Sequence, residues 1–126
     1  MTETTSTRTN KEIFLDAFAE FAAGRHDVLY SVLHEDFVEH APGNPSGRDA
    51  FVESIKSGAV SRAQFELKRV IADEQYVVVH CRMSEDPGAP GLAVVDIWKF
   101  DAGLITEHWD VKQPVPDDEE VPNGMF

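Results

Sequence analysis

Three residues near the end of the chain have the side chains for moving protons. His108 and Asp110 stand two apart in "ITEHWDVKQPV", and Asp96 lies in the preceding apolar run "LAVVDIWKF". A carboxylate held against apolar walls has its ionised form penalised by desolvation, which raises its pKa toward the range of a general base. A histidine paired with a carboxylate is fixed in one tautomer and can pass a proton to or from a substrate oxygen. Together they suit proton abstraction beside a carbonyl, aldol closure, dehydration or activation of water. The chain has no nucleophile elbow, phosphate-cradling glycine loop or dinucleotide fingerprint, which argues against covalent and nucleotide chemistry.

Whether the three can meet depends on the turn between their strands. In "FDAGL" a three-residue loop, Asp101 to Gly103 with the glycine left-handed, sets Phe100 opposite Leu104. Counting back then pairs Trp98 with Thr106, Asp96 with His108 and Val94 with Asp110, all on one face. Taken alone, the face Thr106, His108, Asp110, Lys112 reads as solvent-facing. Its neighbour carries Val94, Trp98 and Phe100 in the same phase, and exposing those would leave a costly apolar patch. A face mixing large apolar groups with Asp and His is what a ligand cavity needs. The expectation is Asp110 or Asp96 as base, His108 as its oriented partner or as proton donor, Trp98 and Phe100 as walls, and His40 and His80 orienting the substrate.

These residues need a scaffold. "TNKEIFLDAFAEFAAG" carries Phe14, Phe18 and Phe21 at helical spacing, with Thr9 and Glu12 as a capping box and Gly24 as a stop. A second short helix is expected in "HDVLYSVLH", capped by Asp27. "FVEHAPGNPSG" is extended and broken by prolines and glycines, and Ser46 with Asp49 can box a third helix bearing Phe51, Val52 and Ile55. From Phe65 onward "FELKRVIA", "YVVVHCRM", "LAVVDIWKF" and "LITEHWDVKQPV" read as strands with links too short for crossover helices, so an antiparallel meander is predicted. Helices first and sheet afterwards give an α+β domain with helices on one face of a curved sheet. The expected boundaries are a disordered tail over 1–10, one domain over 11–113, and an acidic tail over 114–126 whose Met125 and Phe126 can dock.

With 126 residues and 42% hydrophobic content the chain suits one domain. Its formal charge of −12 disfavours nucleic acid as a partner. No stretch is long and apolar enough for a membrane span, and the reading is a soluble, cytoplasmic protein. The single cysteine, Cys81, sits in an apolar run and reads as a small buried hydrophobe.

"RVIADEQYVVVH", "AVVDIWKF", "DAGLITEHWDVKQPV" and the closing "NGMF" resemble the SnoaL-like polyketide cyclase family, of the nuclear-transport-factor-type cone fold. The resemblance implies a cone-shaped barrel of three N-terminal helices on a curved antiparallel sheet around one deep pocket, usually dimeric. It also implies cofactor-free acid–base catalysis by a pocket aspartate, here matched by Asp110. "FVEHAPG" is similar to the family's pattern of a histidine followed by a polar residue and proline, with Glu39 where glutamine is common and Ala41 where asparagine is common. The reading is therefore a cofactor-independent lyase, isomerase or cyclase acting on a small or medium carbonyl compound, without a metal, and a homodimer through the apolar outer sheet face. A non-catalytic ligand-binding pocket and a His/Asp metal site are the alternatives.

Overall fold

In the computed structural model, which describes residues 8–117 and 119–126, the N-terminal helix α1 (Asn10–Ala22) begins at the expected box. Thr9 accepts from the Glu12 N–H and Glu12 accepts from the Thr9 N–H. The helix therefore takes in the last residue assigned to the tail, whose first seven residues lie outside the described ones. Phe14, Phe18 and Phe21 lie along its inner side and pack toward the sheet, Phe18 meeting Phe65 edge-on. Helix α2 (Val28–Val32) is one turn, and Leu33 already opens strand β1 (Leu33–Glu39). Asp27 stands at the N-cap of α2 as expected, but its side chain makes no capping bond and its carboxylate instead accepts from Lys56 at 2.7 Å. Helix α3 (Arg48–Ser57) buries Phe51, Val52 and Ile55 as expected. Its cap is Gly47 at φ 90° rather than a Ser46 box, because the Ser46 hydroxyl is spent on the Glu39 N–H.

After a 3-10 turn (Ala59–Arg62), strands β2 (Gln64–Ala72), β3 (Tyr76–Ser84), β4 (Leu92–Asp101) and β5 (Leu104–Pro114) form the predicted antiparallel meander. The sheet order is β1-β5-β4-β3-β2, and β1 joins β5 in parallel. The sheet is thus mixed, which corrects the all-antiparallel expectation. A parallel pair needs a long crossover, and here α3 and the whole meander supply it. With β1 and β2 as separate edges the sheet is open, so the barrel is not closed. The helices cover one face, where Phe37, Val52, Val77 and Val79 form the centre of the core. Among the described residues no helix is long and apolar enough to cross a membrane.

The β4–β5 hairpin corrects the expected register. Its loop has two residues, Ala102 at φ 50° and Gly103 at φ 83°, the left-handed pair of a tight hairpin turn, so Asp101 faces Leu104. Continued unbroken, that register would set His108 opposite Ile97, on the outer face. One extra residue, Thr106, bulges between the Phe100–Ile105 and Lys99–Glu107 pairs, and its hydroxyl donates to the Lys99 carbonyl. Beyond the bulge Trp98 faces His108 and Asp96 faces Asp110. The pairing is shifted two places from the three-residue-loop count. Beyond the bulge this even shift leaves the side chains on their expected faces, whereas before it Ile105 takes the place opposite Phe100 that Leu104 was expected to hold.

Candidate active site

Between the helices and the inner sheet face lies a cavity of about 140 Å³, and Asp96, Trp98, His108, Asp110 and Lys112 all line it. His108 is its hub. Its side chain is 5% exposed, with Nε2 at 2.8 Å from Asp96 Oδ1 and Nδ1 at 2.8 Å from Glu39 Oε1. Trp98 stacks on the same ring, centroids 3.8 Å apart. Burial opposes a charge on His108, but the hydrogen bonds and charges of Asp96 and Glu39 outweigh it and raise the pKa to about 9. At neutral pH it is an imidazolium clamped between two carboxylates.

Glu39 was not among the site residues expected from sequence. Its side chain is fully buried, and burial alone would push its carboxyl up. The His108 bond and charge, the Ala41 N–H and the Asn44 amide outweigh that and hold it below the usual carboxylate value. The proline- and glycine-punctuated loop after β1 thus folds back over the strand end to satisfy this carboxylate with Asn44 and, at the backbone, Ser46. A signal was available: alternation from the apolar Phe37 sends Glu39 to the same, inward face.

Asp110 differs from its neighbours. Its side chain is 8% exposed, it has no hydrogen bond among the described residues, and Lys112 Nζ stands 3.7 Å from Oδ2. Burial raises its pKa and the Asp96 charge adds to this, while Lys112 and His108 pull the other way. It is the free carboxylate of the cavity.

Three expected contacts fall elsewhere. His40 follows the inward Glu39 by one residue and so points outward, stacked on Trp109 with centroids 4.7 Å apart and Nε2 at 2.8 Å from Glu107. His80 lies opposite Val95 in the outer phase of β3, between Arg69 and the Phe126 ring. Phe100 is buried in the core without lining the cavity, because the tight turn draws it in beside Ile105. Cys81 lines the cavity, its thiol pushed up to about 12 by burial and by the Asp96 charge.

Asp96, His108 and Asp110 offer ligand atoms within 4.8 Å of one another, the dimensions of a metal cage. A metal on His108 would need a ring-nitrogen lone pair, and both nitrogens are engaged by carboxylates. As arranged, the set fits proton chemistry better than ligation.

Residues 14–108 match the model of the SnoaL-like domain. The chain belongs to the SnoaL-like family. No curated protein matches this SnoaL-like chain in sequence. Solved structures share its NTF2-like fold. An NTF2-like protein of unknown function from Cytophaga hutchinsonii superposes with a TM-score of 0.74 at 11% identity, over 88% of this chain and 96% of that one. A candidate ketosteroid isomerase from Kribbella flavida gives 0.71 at 18% identity, over 89% and 86%. A candidate SnoaL-like polyketide cyclase from Jannaschia gives 0.66 at 18% identity, over 86% and 92%. At these identities the likeness concerns the fold, and the chemistry has to be argued from this SnoaL-like chain's own residues.

Proposed function

We propose that the protein is a cofactor-independent acid–base enzyme acting on a small, largely apolar carbonyl compound, with Asp110 as the base. The observation that carries this reading is the contrast among the carboxylates. Glu39 and Asp96 are each committed to a His108 nitrogen, whereas Asp110 is buried beside them, unbonded, and raised in pKa by that burial. Asp110 takes a proton from the carbon next to the carbonyl. The C–H electron pair becomes the new C=C bond, and the carbonyl π pair moves to oxygen, giving an enolate. Reprotonation at another carbon makes an isomerisation, attack on a second carbonyl an aldol closure, and loss of a leaving group a dehydration.

His108 holds a fixed positive charge in the wall, which favours the ionised base and the enolate. The role of direct proton donor does not suit it, because Glu39 and Asp96 occupy both ring nitrogens. The names of the Kribbella and Jannaschia structures, isomerase and cyclase, fall in this reaction class and support it.

The test is deuterium incorporation from solvent into a panel of β-keto compounds. The wild type is expected to catalyse exchange, and Asp110→Asn to lower the rate about a hundred- to ten-thousand-fold with an unchanged circular dichroism spectrum. Full exchange by Asp110→Asn overturns the assignment. Tight binding of panel members without exchange by the wild type replaces it with a non-catalytic pocket.

A further inference from the structure

An enolate needs a donor at its oxygen, and few of the cavity's polar side chains have one to give. His108 has committed both nitrogens, and Asn44 gives one of its two amide protons to Glu39 Oε2 at 3.2 Å, which leaves it a single neutral donor. Asp96 and Asp110 only accept when ionised. The Trp98 indole nitrogen has no hydrogen-bond partner among the described residues but is buried, with its ring stacked on His108. Lys112 remains. It shares the inner face with His108 and Asp110, lines the cavity, and is 41% exposed, so an entering ligand can reach it. At 3.7 Å its contact with Asp110 is an ion pair too long for a hydrogen bond, which leaves the ammonium protons free to turn.

We propose that Lys112 is a catalytic residue, its ammonium receiving the substrate's carbonyl oxygen while Asp110 removes the neighbouring proton. This rests on the reading of Asp110 as the base. The spacing fits. A carbon whose proton Asp110 takes sits about 3 to 3.5 Å from the carboxylate. Its carbonyl oxygen, one carbon further, then falls within reach of a nitrogen 3.7 Å from that same carboxylate. As negative charge moves to the oxygen, an ammonium–carbonyl hydrogen bond becomes an ammonium–enolate ion pair, so the interaction strengthens along the reaction. The rest of the lining is hydrocarbon apart from Asn44, Asp96, His108, the indole nitrogen and the sulfurs of Cys81 and Met83, which implies a substrate with an apolar body and its enolisable carbonyl turned toward Lys112.

Binding of 4-nitrophenol to the full chain tests this without turnover, since its ionised form has a visible absorption band and its oxygen stands in for the enolate oxygen. The wild type is expected to shift bound nitrophenol toward phenolate. Lys112→Met should reduce its ionisation constant in the complex about tenfold or more, with Lys112→Arg largely restoring it. Asp110→Asn, by removing a competing negative charge, should strengthen the phenolate band. A wild type that leaves the nitrophenol un-ionised or unbound, or a Lys112→Met variant that ionises it equally, overturns the role of Lys112. Those outcomes leave the Asp110 exchange assay untouched, so failure of the base and failure of the oxygen donor are read separately.

Discussion

His108 is held in its charged form by two neighbours, and this couples the site to the stability of the protein. A histidine whose folded pKa is about 9 against 6.5 unfolded contributes fully below about pH 6.5 and loses that contribution as pH rises through about 9. The difference is about 3 kcal/mol. Glu39, lowered in the fold, acts in the opposite sense, contributing above its unfolded value of 4.5 and losing it as pH falls through its depressed one. Stability should therefore be highest between about pH 4.5 and 6.5 and decline toward about pH 9. Glu39→Gln should weaken the whole profile and move the alkaline loss to lower pH. Urea midpoints measured across this range check it; a flat profile from about pH 6 to 9.5 would mean that His108 is not clamped as described. Alternation grouped His108 with Asp110, and the expected three-residue loop joined them to Asp96 in the phase that a two-residue turn and a bulge produce in the structure. Glu39 escaped because its partner lies 69 residues away across a parallel pairing that no short turn signals. His40 and His80 were placed in the site by residue type, whereas strand phase turns both outward.

At the scale of elements, the site depends on a single extra residue. The helices announce themselves through phenylalanine spacing and a capping box, and the strands through β-branched runs and short links, so the α+β class and the meander were legible. A bulge leaves no such mark, because Thr106 is an ordinary strand residue and only the ladder reveals that nothing opposes it. Deleting Thr106 restores the odd register of the tight turn, which would send either the β5 polar set or the β4 apolar set to the wrong face. The expected result is loss of the cooperative thermal transition together with loss of exchange activity. A deletion variant melting at the wild-type temperature would show that the bulge does not set the phase.

The whole molecule has two unequal sides. The inner sheet face is covered by α1 and α3, while the outer one exposes aliphatic side chains, with Ile71 at 64%, Val111 at 68% and Val38 at 41%. Phe126 covers part of this face, its ring 4.6 Å from the Arg82 guanidinium carbon and close to His80 and Lys68. We propose that a second copy covers the remainder, since a patch of this kind on an open sheet is costly to leave wet. Sedimentation should give about twice the 14.0 kDa chain mass, and Val111→Lys should yield a folded monomer. A wild type that sediments at the single-chain mass at tens of micromolar removes the proposal.

The chain's lone thiol gains an unintended use from its position. Cys81 lines the cavity, 2% exposed and protonated at any ordinary pH. A thiol reagent must enter the cavity to reach it, so the labelling rate reports access to that space, and a ligand seated there slows the labelling. The protein thus carries its own occupancy sensor, able to rank candidate substrates before any reaction is known.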